Sequence, residues 1–288
     1  MAQDGSAGTA VAREHRRQWE EQGCVLLEQV LSPGEVARVL AAVDAVLAES
    51  GREGGGVFSQ QSGAPGEAAR AFKVAQAIAR TEALDPLTDH PGVFPWLLDF
   101  LGPYLQILGT EIFVRRPGPG EEPLVEWHTD GGPALGRLLA SPGAPVLQMK
   151  VQFFLTDLAE PDSGNFMLVP GSHRRPFPEG GAAAVPPGAV QVRAKAGDVL
   201  LFPWSLWHAV APNRSGRVRK SVTFRYGPLW SRPYDYERLP PAVLARMTPR
   251  RRRLFGDLGE GAHPSTYFYP DPEEQLRLMK GDGGGTAP

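Results

Sequence analysis

From Tyr104 onward the sequence consists of short β-rich runs separated by turns, and this pattern limits the possible folds more than any other. The turns contain Pro-Gly, Asp-Ser-Gly and Gly-Asp, which end strands. Strands this short and closely spaced are typical of an antiparallel sandwich or barrel, and they argue against a parallel α/β sheet. We predict strands over these runs: Leu105–Arg115, Val146–Thr156, Asn165–Val169, Val190–Arg193, Val199–Phe202 and Ser221–Tyr226.

The chain before Tyr104 has the patterns of helices. In Ser32-Pro33-Gly34-Glu35, the serine is the predicted N-cap, the proline is the first helical residue and the glutamate completes a capping box. Gly51–Gly66 is rich in glycine and serine, so we predict an irregular loop there, and Cys24–Leu27 predicts a short strand. The predicted helices are Val11–Gln22, Pro33–Glu49, Val74–Arg80 and Val93–Leu101.

The sequence shows no internal repeat and no clear boundary, so we predict a single domain over residues 11–280. Helices form its N-terminal part and strands its core. The ends, residues 1–10 and 281–288, are rich in small residues and are predicted to be disordered. An apolar content of 42% and a charged content of 22% over 288 residues are ordinary for a globular protein with a large core.

Charge and cysteine content exclude several classes of protein. A net charge of -2 argues against nucleic-acid binding, which normally needs a strong basic excess. No segment approaches the roughly 18 uninterrupted apolar residues of a membrane-spanning helix. Cys24 is the single cysteine, so no internal disulfide can form, and the first residues lack the apolar segment of a signal peptide. We therefore predict a cytoplasmic protein with a small-molecule partner, and the oligomeric state stays open.

Candidate metal ligands occur in Glu126-Trp127-His128-Thr129-Asp130-Gly131-Gly132. In an extended strand, residues i and i+2 point to the same face, so His128 and Asp130 can converge on one cation. A metal site needs at least one more ligand from elsewhere in the chain.

His208 has the best context among the remaining histidines, because it follows a Gly-Asp turn and an apolar strand and lies among aromatic residues. Alone it would be interpreted as a buried, hydrogen-bonded residue. Beside His128 and Asp130, it completes the two-histidine, one-carboxylate set that non-haem Fe(II) uses with open coordination positions. A closed structural zinc site would need more cysteines, whereas a hydrolytic zinc site with three protein ligands stays possible.

An arginine-rich strand follows His208. Arg219 and Ser221 share one face of it, and a guanidinium with a hydroxyl is a good receptor for a carboxylate. Arg217 and Arg225 lie an even number of residues from Arg219 and so project to the same face of the strand. Spacing alone therefore does not show which arginine binds a carboxylate. An earlier strand alternates polar with apolar residues, and its polar side faces either solvent or a hydrated interior pocket. Its polar residues are Gln148, Lys150 and Gln152.

At this point the sequence resembles the phytanoyl-CoA dioxygenase family of Fe(II)/2-oxoglutarate-dependent oxygenases, over about residues 15–230. The resemblance implies a mainly β fold with flanking helices, namely the double-stranded β-helix, a cupin-like jelly roll. The segments that carry the resemblance are Gln22–Leu27, His128-Thr129-Asp130, Leu155-Thr156-Asp157, Gly164, Val169-Pro170-Gly171-Ser172-His173, Gly197-Asp198, Trp207-His208, Pro212-Asn213-Arg214-Ser215, Arg219 and Arg225-Tyr226.

The same resemblance implies roles for individual residues. The iron ligands are His128, Asp130 and His208, and Arg219 binds the distal carboxylate of 2-oxoglutarate. Lys73 matches a family lysine that also contacts the co-substrate. The other residues predicted to bind the co-substrate are Ser221, Gln152 and Thr129. Gln152 departs from the family pattern, because this position is often aromatic.

The activity implied is a dioxygenase reaction that uses Fe(II), 2-oxoglutarate and O2, hydroxylates a small molecule and releases succinate and CO2. Halogenating relatives lack the carboxylate of Asp130, so its presence argues for hydroxylation or a related oxidation. The same cofactor set supports desaturation, epoxidation, epimerisation or ring formation in secondary metabolism. A non-catalytic jelly-roll binding protein is the alternative from another class.

Overall fold

The structure is a computed structural model, and it describes these residues: 5–53, 57–59, 70–120, 123–130, 132, 135, 145–178, 181, 185–259 and 262–280. The strands are, in chain order, β1 (Val25–Leu27), β2 (Val57–Ser59), β3 (Ala71–Ala75), β4 (Leu105–Arg115), β5 (Val125–His128), β6 (Met149–Phe154), β7 (Phe166–Leu168), β8 (Val190–Gln191), β9 (Val199–Pro203), β10 (His208–Val210) and β11 (Arg219–Pro228).

Two antiparallel sheets form the core. The larger has the order β1-β9-β6-β11-β4-β3-β2 and the smaller the order β5-β10-β7-β8. From β4 onward the chain crosses between the sheets at nearly every connection, and this topology is that of a jelly roll. The predicted double-stranded β-helix is therefore confirmed.

The two faces of the larger sheet differ in polarity. On one face of β11, Val222, Phe224 and Tyr226 are fully buried in the main apolar core, which also contains residues of the N-terminal helices. Side chains alternate along a strand, so the residues between them project to the other face, toward the smaller sheet. That face carries Arg219, Ser221, Thr223 and Arg225. The fold therefore places a row of polar side chains between its two sheets.

The described helices are α1 (Gly5–Gln22), α2 (Pro33–Glu53), α3 (Ala77–Arg80), α4 (Phe94–Leu101), α5 (Pro241–Ala245), α6 (Pro249–Leu254) and α7 (Pro272–Lys280). The predicted capping box opens α2, since the N–H of Ser32 donates to Glu35 at 2.9 Å and the N–H of Glu35 donates to the Ser32 hydroxyl at 3.3 Å. None of the described helices is long and apolar enough to cross a membrane.

Several predicted boundaries were wrong. The helix predicted over Val74–Arg80 is strand β3 followed by the shorter α3, because pairing of β3 with β4 overrides local helix preference. Within Gly51–Gly66, α2 continues to Glu53 and β2 forms, and the rest of that segment lies outside the described residues. Helix α1 begins at Gly5, before its predicted start. The predicted disorder of residues 1–4 and 281–288 concerns residues that are not described.

After β11 the chain returns across β4 and is fixed there by Asp235. One carboxylate oxygen of Asp235 accepts the backbone N–H groups of Thr110 at 2.8 Å and Gln76 at 3.0 Å. Its other oxygen is buried and has no hydrogen-bond partner among the described residues. Burial raises the pKa of Asp235 from 3.8 to about 6. The protonated carboxyl is thus favoured by the folded state.

Asp235→Asn is expected to stabilise the protein increasingly as pH rises. Because the folded pKa is the higher one, the wild-type protein loses unfolding free energy between pH 3.8 and about 6. Asparagine keeps an oxygen acceptor and cannot ionise. The gain should be larger at about pH 8 than at about pH 5, by on the order of 1 kcal/mol, in urea denaturation. A gain independent of pH would show that Asp235 ionises normally.

Candidate metal centre and co-substrate cavity

His128 and His208 face each other across a strand pair. His128 ends β5 and His208 begins β10, where the two residues are register partners, and their ring centroids are 4.2 Å apart. The Nδ1 atom of each ring is hydrogen-bonded to a backbone carbonyl, that of Glu126 at 2.7 Å and that of Leu206 at 2.9 Å. These bonds fix Nδ1 as the protonated nitrogen, so both Nε2 lone pairs remain free to bind a metal.

Asp130 lies just beyond β5, where its N–H donates to the carbonyl of Trp204 at 2.9 Å. Its Oδ1 accepts from Lys150 at 2.8 Å and from Arg225 at 3.2 Å. Its Oδ2 is buried, lies 3.7 Å from Nε2 of His208 and has no hydrogen-bond partner among the described residues. One oxygen is therefore held by two cations while the other is available as a ligand.

The three side chains fit a divalent metal. One donor atom from each of His128, Asp130 and His208 can be chosen so that all lie within 4.8 Å of one another. Burial, together with the nearby charge of His128, lowers the pKa of His208 to about 3, and burial also lowers the pKa of His128. Burial alone would raise the pKa of Asp130, but the charges of Lys150 and Arg225 hold it well below its usual range. The donors are therefore neutral imidazoles and a carboxylate, the forms that bind metal.

Two nitrogen ligands and one oxygen ligand match the facial set of non-haem Fe(II) sites, in which the remaining positions accept other ligands. His208 is held rigidly for this role, because it stacks on Phe166 at 5.1 Å between ring centroids and packs edge-on against Phe202 at 5.2 Å. A structural zinc site would need a fourth protein ligand, and no further His, Cys, Asp or Glu joins this group among the described residues.

The donors open into a cavity between the two sheets. Lys150 and Gln152 line it, so for these two residues the hydrated-pocket interpretation of the alternating strand is correct. The lining residues are Lys73, Glu111, Phe113, Arg115, Val125, His128, Asp130, Lys150, Gln152, Phe166, Phe202, His208, Val210, Arg219, Thr223 and Arg225.

Two buried guanidiniums lie in this cavity. Arg219 on β11 is the register partner of Arg115 on β4, and each is 3% exposed. Arg219 donates to the carbonyl of Gly164, and Arg115 donates to the carbonyls of Phe72 and Val114. Neither Nε has a partner among the described residues. Burial, helped by the charge of Arg115, lowers the pKa of Arg219 to about 9, so an anion bound there would relieve an unfavourable arrangement.

Ser221 lies next to this pair on the same face of β11. Its hydroxyl accepts from the side-chain amide of Gln152 at 2.9 Å, which leaves the hydroxyl proton free to donate. Thr223, the next residue on that face, is buried in the cavity, and its hydroxyl has no partner among the described residues. The hydroxyl of Thr223 can therefore donate to a ligand in the cavity, whereas Ser221 is not among the cavity-lining residues and its assignment stays a prediction.

Lys73 and Thr129 differ in their positions. Lys73 on β3 lines the cavity and forms an ion pair with the buried carboxylate of Glu111. Thr129 lies between two metal-ligand candidates in the chain but is not among the cavity-lining residues. Its assignment as a co-substrate contact stays a prediction that the cavity does not support.

The sequence did not indicate Arg115 or Glu111 as site residues, and it assigned no specific role to Lys150 or Arg225. Arg115 and Glu111 alternate with apolar residues on β4, and that alternation was the available indication that they share a face with Arg219. The contacts of Lys150 and Arg225 with Asp130 depend on three separate segments, so no local pattern could reveal them.

Comparison with known proteins identifies the family. The family model for phytanoyl-CoA dioxygenase (PhyH) matches residues 19–221. The chain belongs to the phytanoyl-CoA dioxygenase family. The resemblance found in the sequence is thereby confirmed.

The relatives of this phytanoyl-CoA dioxygenase family member include two fungal dioxygenases. Dioxygenase trt7 of Aspergillus terreus is 24% identical over 278 residues, which are 95% of this chain and 93% of trt7. Dioxygenase cdmA of Talaromyces verruculosus is 28% identical over 184 residues. That match spans 62% of this chain and 60% of cdmA, which is less than two thirds of the relative's length.

Among solved structures, the chain is similar to SnoK, a non-heme alpha ketoglutarate dependent carbocyclase from nogalamycin biosynthesis. The TM-score is 0.60 at 25% identity, and the match covers 82% of this chain and 91% of SnoK. This phytanoyl-CoA dioxygenase family member therefore shares its fold with SnoK over most of both chains.

Proposed function

We propose that this chain is an Fe(II)/2-oxoglutarate-dependent dioxygenase that hydroxylates a small molecule of secondary metabolism. One observation carries the proposal: His128, Asp130 and His208 converge on a cavity that also contains the buried guanidiniums of Arg115 and Arg219. Membership of the family and the carbocyclase SnoK as a structural neighbour support the same cofactors.

Nε2 of His128, Nε2 of His208 and Oδ2 of Asp130 would hold the iron. The chemistry that Fe(II) supplies in such a site is the coupling of 2-oxoglutarate decarboxylation, with O2, to oxidation of a substrate C–H bond, which gives succinate and CO2. The backbone carbonyls that fix both imidazoles, and the cations that fix Asp130, orient the ligands before iron binds.

Arg219 would bind the distal carboxylate of 2-oxoglutarate, because its charge is buried and no described carboxylate pairs with it. We assign Arg115 to the same carboxylate, since it is directly opposite in the strand register. The hydroxyl of Ser221, oriented by Gln152, stays a predicted donor on the same face of β11, although Ser221 is not among the cavity-lining residues. Lys73 stays in the set as a lining residue whose charge is already paired with Glu111.

The alternatives have different support. A binding protein without catalysis would have no need of a metal-ligand set with both histidine tautomers fixed and one carboxylate oxygen left free. The outcomes of epimerisation and ring closure use the same cofactors, and the similarity to the carbocyclase SnoK brings the second of these into consideration. Asp130 occupies the coordination position that halogenating relatives leave open, which favours hydroxylation or a related oxidation over halogenation.

The test begins with cofactor binding. Adding Fe(II) and 2-oxoglutarate without oxygen is expected to produce a visible charge-transfer absorption band, because the keto acid chelates iron. Under air the same mixture should form succinate. His128→Ala removes one ligand and is expected to abolish both signals, while His263→Ala, at an exposed position, should change neither. A wild-type protein that binds Fe(II) and 2-oxoglutarate without producing the band would contradict the site.

A further inference from the structure

The cavity has more positive than negative side chains. Among the described lining residues, Glu111 and Asp130 are the carboxylates. Glu111 is paired with Lys73, while Asp130 is shared by two cations. The cationic residues of the lining are Lys73, Arg115, Lys150, Arg219 and Arg225.

Filling the proposed site with its cofactors does not remove this excess. Fe(II) adds two positive charges and 2-oxoglutarate two negative ones, so their sum is zero. The distal carboxylate of 2-oxoglutarate would lie at Arg219 and Arg115, at one end of the β11 row. The excess at the other end, beside Asp130, therefore persists. A buried excess of positive charge is unfavourable unless an anion accompanies it.

Arg225 marks this second end of the row. It is separated from Arg219 along β11 by Ser221 and Thr223, and Lys150 is its register partner on β6. Its Nη2 donates to Asp130 at 3.2 Å, whereas its Nη1 has a long contact with Gln148 at 3.4 Å. A stronger acceptor can replace Gln148 at Nη1 without disturbing the bond to Asp130.

The surroundings of Arg225 form a recess against an aromatic wall. Its guanidinium lies 4.6 Å from the ring centroid of Tyr234, which is 44% exposed and therefore borders solvent. Tyr234 packs on Gly109, the register partner of Arg225 on β4, where a Cβ atom would be 2.0 Å from the tyrosine ring. Gly109 is thus required for the ring to lie beside the guanidinium. An aromatic ring that borders solvent thus lies against the guanidinium that contacts Asp130.

We propose that the substrate of this enzyme carries a carboxylate, which Arg225 binds beside the metal centre with Tyr234 as the adjoining wall. The inference rests on the proposed function, because it identifies the substrate side of the same cavity. Because Nη2 already donates to Asp130, the substrate carboxylate would accept from Nη1 in a charge-assisted hydrogen bond. The carbon next to that carboxylate is thereby held near the ligands His128, Asp130 and His208.

The test uses the full chain loaded anaerobically with Fe(II) and excess 2-oxoglutarate, and its probes are benzoate and the neutral, similarly shaped benzamide. A molecule that binds beside the iron shifts the charge-transfer band, and each probe is titrated on that shift. We expect benzoate to bind at least about ten-fold more tightly than benzamide. Arg225→Gln should reduce this preference to about two-fold or less, and Arg225→Lys should retain part of it.

Arg232→Gln is the matched control, because this arginine is largely exposed and pairs with Glu237, and it should leave the preference unchanged. The proposal is overturned, while the proposed function stands, if the band forms and the probes bind equally, if neither shifts it, or if Arg225→Gln keeps the full preference. Benzoate that removes the band competes with 2-oxoglutarate and also contradicts a site at Arg225. Absence of the band in the wild-type protein counts against the proposed function itself.

Discussion

Asp130→Asn is expected to abolish the charge-transfer band and to weaken Fe(II) binding by at least about 100-fold, the upper end of what loss of an outer-shell partner costs. Asparagine keeps the shape of the side chain but removes the negative charge that holds a divalent cation. Anaerobic titration with Fe(II), with and without 2-oxoglutarate, measures both effects. Asparagine does not ionise, so raising the pH should not rescue the variant.

The same substitution also leaves Lys150 and Arg225 buried without a carboxylate. Removing one partner of a buried ion pair is costly because the remaining charge is desolvated, so the metal-free variant should lose on the order of 3 kcal/mol of unfolding free energy. Adding Lys150→Met should recover part of this loss in urea denaturation but none of the iron binding. The double variant thereby separates the stabilising role of Asp130 from its role as a ligand.

Asp44→Asn is the control for removal of a carboxylate. Asp44 pairs with Lys220 and its side chain is 50% exposed, so its loss should cost under about 1 kcal/mol and leave Fe(II) binding unchanged. If Asp130→Asn bound Fe(II) as tightly as the wild-type protein, Asp130 could not be a metal ligand.

The sequence predicted the long central strands because they are β-rich runs bounded by turn residues. Strand β4 was predicted with its observed bounds, and the prediction Ser221–Tyr226 covered the middle of β11. Strand β3 was misassigned because its few residues depend on pairing with the edge of β4, which no local pattern reveals. Strand β10 and the C-terminal helices were not predicted, because the first is only three residues long and the others are short.

For the site, the local spacing of His128 and Asp130 was sufficient, and the structure places His208 beside them. Choosing among the arginines needed either the family resemblance or the fold. In the structure Arg217 is exposed, Arg225 contacts Asp130, and Arg219 is buried opposite Arg115. The alternation of side chains along a strand shows which face a residue occupies, but it does not show how deeply that residue lies in a cavity. Depth is determined by the partner strands, which are distant in the sequence.

Arg219→Gln is expected to weaken 2-oxoglutarate binding by about 100-fold, since truncating one partner of a buried charge pair costs about 2–5 kcal/mol and each 1.4 kcal/mol is a factor of ten. The affinity for 2-oxovalerate, which has a methyl group in place of the distal carboxylate, should hardly change. Titration of the anaerobic charge-transfer band with the two keto acids measures this difference. Unchanged binding of 2-oxovalerate also shows that the variant is folded and holds iron.

Arg115 provides the sharper test, because its role follows from the strand register. If both guanidiniums bind the distal carboxylate, Arg115→Gln should reduce the preference for 2-oxoglutarate over 2-oxovalerate by about ten-fold, a loss of about 1.4 kcal/mol. The adjacent Arg116 is exposed and lies 4.9 Å from the ring centroid of Phe72, so Arg116→Gln should preserve the preference. A preference that falls in the Arg219 variant but persists in the Arg115 variant would assign the carboxylate to Arg219 alone. The pair of arginines would then need another anion to explain its burial.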